Sequence, residues 1–156
     1  MAARQPGGWP GASWPVATPA SQGFSASAID ALNAIDRDAR SGAYGNLDRL
    51  VIIRNGHMVV NHRYAHDYRV ISRGRSGPLG CGDGCTDAAK MHGYQWWITS
   101  RNGADVWAGH SFGAQLLLII PSRDIVAVTS AWNVFGTPAR NIFGPLLDAL
   151  TGDGQS

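Results

Sequence analysis

The chain has 156 residues, 44% of them hydrophobic and 15% charged, with a formal net charge of +2. This length fits one domain with a genuine core, and the slight positive balance, carried by arginine because Lys90 is the sole lysine, is too small and scattered for a nucleic-acid surface. No apolar run approaches the ~20 residues of a membrane helix, and residues 1–19 hold no apolar stretch of the kind an export signal needs, so the expectation is a soluble, cytoplasmic protein.

Residues 1–23 carry Pro6, Pro10, Pro15 and Pro19 together with Trp9 and Trp14. Proline at this density excludes a helix, which predicts an extended arm preceding a single domain over 24–156. A helix follows. Ser25 or Ser27 suits the N-cap, Ala28, Ile29, Leu32 and Ile35 recur at helical spacing, and Gly42 or Gly45 ends it. Asp30 near its start and Arg37 and Arg40 near its end match the helix dipole.

A β-hairpin is expected over 47–64. Two runs rich in Val and Ile flank Asn55-Gly56, and Asn-Gly is favoured there because both central positions of the turn need positive φ. Residues 65–92 have three arginines (Arg69, Arg73, Arg75), five glycines from Gly74 to Gly84 and no apolar periodicity. They read as a long irregular loop, unusual inside a compact domain. Cys81 and Cys85 within it either close a small disulfide loop or stay free thiols.

Three strands come next: one from Trp96, one over 115–120 closed by Pro121, and one over 125–130, the last two joined by a polar turn at 121–124. Residues 101–103 (Arg-Asn-Gly) form a turn, and 105–108 lead into a small-residue loop at 108–114 where backbone can approach a ligand. A closing helix over 139–150 presents Ile142, Leu146, Leu147 and Leu150, with Gly152 beyond its end. The pattern predicts an α+β fold, an antiparallel sheet of about five strands flanked by N- and C-terminal helices on one side.

Residues 93–97 (Gly-Tyr-Gln-Trp-Trp), 109–115 (Gly-His-Ser-Phe-Gly-Ala-Gln) and the strand-turn-strand with Pro121 and Asp124 resemble the C-terminal part of the serine β-lactamase-related superfamily. Class C β-lactamases, DD-peptidases and related esterases and amide hydrolases belong to it. Residues 14–19 (Trp-Pro-Val-Ala-Thr-Pro), the first helix and 50–56 resemble the family's entry into its first hairpin. The resemblance implies a sheet half and a helical half with the catalytic site between them, and hydrolysis of an amide or ester without a cofactor. It places a remnant of the family's third motif at Gly109, His110 and Ser111, with the Phe112 N–H as oxyanion donor and Tyr94, Trp96 and His110 beside a small amide or ester ligand. Members of the family are often exported, which stands against the cytoplasmic expectation.

Two of the family's three motifs are missing. No serine is followed three residues later by lysine; residues 72–75 (Ser-Arg-Gly-Arg) have the spacing, but arginine stays protonated and cannot act as base. Tyr44-Gly45-Asn46 has the letters of the family's Tyr-x-Asn, yet it precedes the first strand. The chain reads as an internally truncated member that lacks the helical domain, with 65–92 where that domain would begin, and without Ser–Lys catalysis.

Other chemistries compete. Ser111 and His110 are adjacent, so on a strand they point to opposite faces. The Gly-x-Ser-x-Gly match at 109–113 lacks the strand-then-helix context of a nucleophile elbow. Cys81, Asp83, Cys85 and His92 offer metal ligands but match no standard zinc frame, so no metal is expected and a metal site is the alternative. His57, His62 and His66 read as surface or strand-edge residues, and Trp96, Trp97 and Trp132 as sheet core. The remaining reading is a non-catalytic binding module, with self-association through a sheet face left open by the missing domain.

Overall fold

The structure, a computed structural model, describes residues 11–64, 91–93 (backbone only), 96–111, 113–133 and 139–152. Helix α1 (Ala26–Arg40) starts at the expected cap: Ser25 is extended, and its hydroxyl accepts the Ala28 N–H at 3.1 Å. Ala28, Leu32, Ile35 and Ala39 form its buried stripe, and Gly42 turns the chain away with φ +82°.

The α+β class holds, with seven strands where about five were expected. They are β1 (Leu47–Arg54), β2 (His57–Arg63), β3 (Met91–Gly93), β4 (Trp96–Arg101), β5 (Ala104–Ser111), β6 (Gln115–Ile120) and β7 (Ile125–Ala131). They form one sheet in the order β2-β1-β7-β6-β5-β4-β3, and every neighbouring pair is antiparallel. The chain therefore leaves the sheet at one edge and re-enters it at the other. Asn55 (φ 51°) and Gly56 (φ 73°) make the predicted hairpin turn, and Asn102 (φ 49°) with Gly103 (φ 72°) repeats it between β4 and β5. Ile52 faces Val60 and Ile53 faces Met58, so Val59 is an extra, bulged residue; Val59 and Val60 are consequently both buried.

The two additional strands are β3 and β5. Met91 and His92 belong to β3, so the loop expected at 65–92 stops short of them; its remainder, with His66, Cys81, Asp83 and Cys85, lies outside the described residues. The small-residue loop expected at 108–114 is mostly strand, since β5 continues to Ser111. Alanine and glycine are poor strand formers alone, but pairing on both sides by β4 and β6 overrides that preference. Among the described residues, the turn at Gly113 (φ +81°) and Ala114 (φ 67°) is what remains of the loop. Helix α2 (Phe143–Thr151) begins later than 139 because Arg140 is held elsewhere: its N–H donates to the Ala43 carbonyl at 2.8 Å and its guanidinium lies 3.0 Å from Asp38. The described part of the arm runs along β2, where the Met58 N–H donates to Pro15 O at 2.8 Å and the Ala17 N–H to Met58 O at 3.1 Å. This covers part of an otherwise bare strand edge.

Both helices lie on one face of the sheet. There Leu50, Ile52, Val106, Leu118, Ile120, Ile125 and Ala127 are at most 1% exposed and join Leu32, Ile35, Leu146 and Leu150 in one core. Arg101 and Asp148 (2.6 Å) and Asn102 with Thr151 (3.0 Å) fasten α2 to the β4–β5 turn. Strand alternation sends Val51, Ile53, Leu117, Ile119, Val126, Val128 and Trp107 to the other face, where no described helix packs. No described helix is long and apolar enough to cross a membrane.

Candidate functional site

Gly109, His110 and Ser111 end β5, next to Leu117, Leu116 and Gln115 of β6. The β5 alternation buries Ala104, Val106 and Ala108 under the helices and exposes Asp105 and Trp107 on the opposite face. His110 follows the first set, and its ring packs edge-on against Phe143 of α2, centroids 4.9 Å apart. Gly109 and Ser111 follow the second set. The pair that would serve as nucleophile and base is thus split by the sheet itself.

Trp96 lies over Gly109 on the open face: a methyl group at Gly109 would meet its ring at 3.8 Å and the Leu117 side chain at the same distance. Those are ordinary contacts, and Gly109 does not have the left-handed φ that favours glycine. Packing against the protein therefore does not require glycine at 109. Gly113 is the glycine the geometry needs, since a methyl group there would come 3.2 Å from the Ala131 carbonyl oxygen at φ +81°. Tyr94 and Phe112 lie outside the described residues, as does the side chain of His92. Trp97 and Trp132, expected in the sheet core, are 40% and 43% exposed: Trp97 stands on β4, next to the edge strand β3, and Trp132 follows the last residue of β7.

A polar cluster that the sequence reading did not anticipate joins α1 to β2. Asp36 Oδ2 accepts from Arg40 Nε at 2.8 Å, Asp36 Oδ1 accepts from the Tyr64 hydroxyl at 3.2 Å, and His62 Nδ1 lies 2.7 Å from the same oxygen. The His62 approach is close but poorly aligned for a hydrogen bond, so it acts as an ion pair when the imidazole is protonated. Partial burial raises the Asp36 carboxyl, but the Arg40 bond, the His62 charge and the Tyr64 hydroxyl outweigh it and hold the group below 3.8. Burial first, then the Asp36 charge, pushes the Tyr64 hydroxyl well above 10. Only the Asp36–Arg40 spacing of four was visible in the sequence. Aspartate beside histidine suggests a catalytic dyad, yet no described serine, threonine or cysteine stands against His62; the cluster fastens a helix to a strand.

Between α1 and α2 runs a groove of about 430 Å³, floored by Ala28, Ala31, Ile35 and Ala149 and rimmed by Asp38 and Arg140. Neither Gly109 nor Ser111 lines it. Among the described residues no three His, Cys, Asp or Glu side chains gather into a metal site. No family model, no curated protein and no solved structure matches this chain.

Proposed function

We propose that this chain is a sheet-only relative of the serine β-lactamase-related hydrolases, without their Ser–Lys chemistry, that works as a binding module through the open face of its sheet. The observation that carries the reading is that face itself: a broad surface of Val, Ile, Leu and Trp side chains, with Trp107 45% and Val128 39% exposed. Apolar surface of this extent marks an interaction site. The lack of Ser-x-x-Lys and the separation of Ser111 from His110 support the non-catalytic half of the reading. In the family's arrangement a helical half would cover this face and place the nucleophile beside Trp96 and Gly109. A small amide or ester held there would meet Ser111 on the face opposite to His110.

Intact-mass analysis after incubation with a fluorophosphonate and, separately, a penicillin tests this. The folded chain is expected to keep its mass in both. A stoichiometric adduct mapped to one serine overturns the reading and identifies a working nucleophile.

A further inference from the structure

We propose that the open face is the interface of a twofold homodimer, with sheet packed on sheet; this rests on reading that face as the working surface. Size argues for it first. Strands β2 to β4 at about 4.8 Å spacing, each presenting roughly six residues of ~3.3 Å rise, make a face of about 24 by 20 Å. Pairing two such faces removes roughly 1,000 Å² from water, the threshold for a specific interface. Composition argues for it too, since the centre of the patch (Val51, Ile53, Leu117, Ile119, Val126, Val128) contains no charged side chain.

The charges at its margin decide the partner. Arg49 and Arg63 stand directly opposite each other on β1 and β2, both exposed, and neither has an ion pair or side-chain hydrogen bond among the described residues. Like charges facing each other across a strand pair repel. Asp105, also exposed and also without such a partner, lies on the same face of β5 toward the opposite end of the strands. The patch is therefore cationic at one corner and anionic at the corner diagonally across. A twofold axis in the interface plane, along the other diagonal, lays the Arg49–Arg63 corner of one copy over Asp105 of its partner, twice. That operation makes the two sets of strands cross steeply, as in orthogonal sheet packing. A self-complementary surface of this kind is what an isologous dimer requires.

The test is sedimentation equilibrium on the full chain, with three single variants and one double variant. The wild-type chain is expected to be dimeric at micromolar concentration. Val128→Glu, at the patch centre, should give a folded monomer. Arg63→Glu and Asp105→Arg should each weaken dimerisation about ten-fold, through exposed side chains whose change spares the core, and combining them should restore it by exchanging the charges. A monomeric wild type, higher open oligomers, or a dimer indifferent to these changes overturns the proposal. None of these outcomes touches the non-catalytic reading, which the mass experiment decides separately.

Discussion

Leu117 and Leu118 are neighbours on β6, yet they belong to different environments. Leu118 is fully buried beneath the helices, while Leu117 lies on the open face and is only partly covered. The same contrast runs across the sheet, between Ile52 and Val51 on β1 and between Ala127 and Val128 on β7. One face is a protein interior closed by α1 and α2; the other has interior-like composition without a described cover. A sheet hydrophobic on both faces is ordinarily covered on both. The difference shows which face of the sheet the described helices cover and which they do not.

The sharpest way to break this comparison is to truncate the two leucines in turn. Leu118→Ala should cost about 3 kcal/mol, because the lost transfer energy is joined by a cavity the core cannot collapse. Leu117→Ala, measured at dilution where chains are monomeric, should cost less than about 1 kcal/mol, because it removes surface still in contact with water. Urea unfolding followed by circular dichroism reads both. Equal losses would mean that the open face is closed within the single chain.

A second pair sharpens the contrast at the end of β5. Gly113→Ala forces a side chain into a left-handed backbone and against the Ala131 carbonyl oxygen, so it should cost about 1–2 kcal/mol. Gly109→Ala meets only ordinary contacts and should stay within about 0.5 kcal/mol of wild type. Thermal unfolding of the two variants measures the difference. If Gly109→Ala proved the more damaging, the Gly109–Ser111 segment would gain a claim to a structural or binding role.

Local chemistry made much of this fold legible in advance. Ser25 and Ser27 announced a cap that Ser25 makes, Asn55-Gly56 its turn, and the Val- and Ile-rich runs their strands, because each signal lies within a few residues of the structure it causes. What stayed hidden depends on distant partners. β5 is a strand because β4 and β6 hold it, and its alanines and glycine give no warning of that. The start of α2 is delayed by the bond from Arg140 to Ala43, nearly a hundred residues away in the chain. At the candidate site, alternation correctly separated Ser111 from His110, whereas the Asp36 cluster needed His62 and Tyr64 brought to it by the fold. Composition also assigned Trp97 and Trp132 to the core, because tryptophan's bulk says nothing about whether it stands near a sheet edge or beyond a strand's end.

That cluster supplies the smallest expected effect, and it concerns the covered face alone. Asp36 is held below its ordinary value of 3.8, so the folded state favours the carboxylate. Its contribution is complete above that ordinary value and disappears as pH falls through the lower, folded value. Tyr64 acts at the other limit: its hydroxyl is raised above 10, so the folded chain keeps a proton that the unfolded chain releases, and stability falls as pH climbs past 10. Asp36→Asn should flatten the acid limb of a stability–pH curve. Because the Asp36 charge is one reason the Tyr64 hydroxyl is raised, the same substitution should also soften the alkaline limb, whereas Tyr64→Phe should remove the Tyr64 share of the alkaline limb and, by taking away a hydroxyl that helps lower Asp36, slightly reduce the acid limb. Urea midpoints collected across the pH range check both. If Asp36→Asn left both limbs unchanged, the α1–β2 seam would owe its stability to the packing of Leu32, Ile35 and Tyr64 rather than to charge, and the two faces would differ in burial alone.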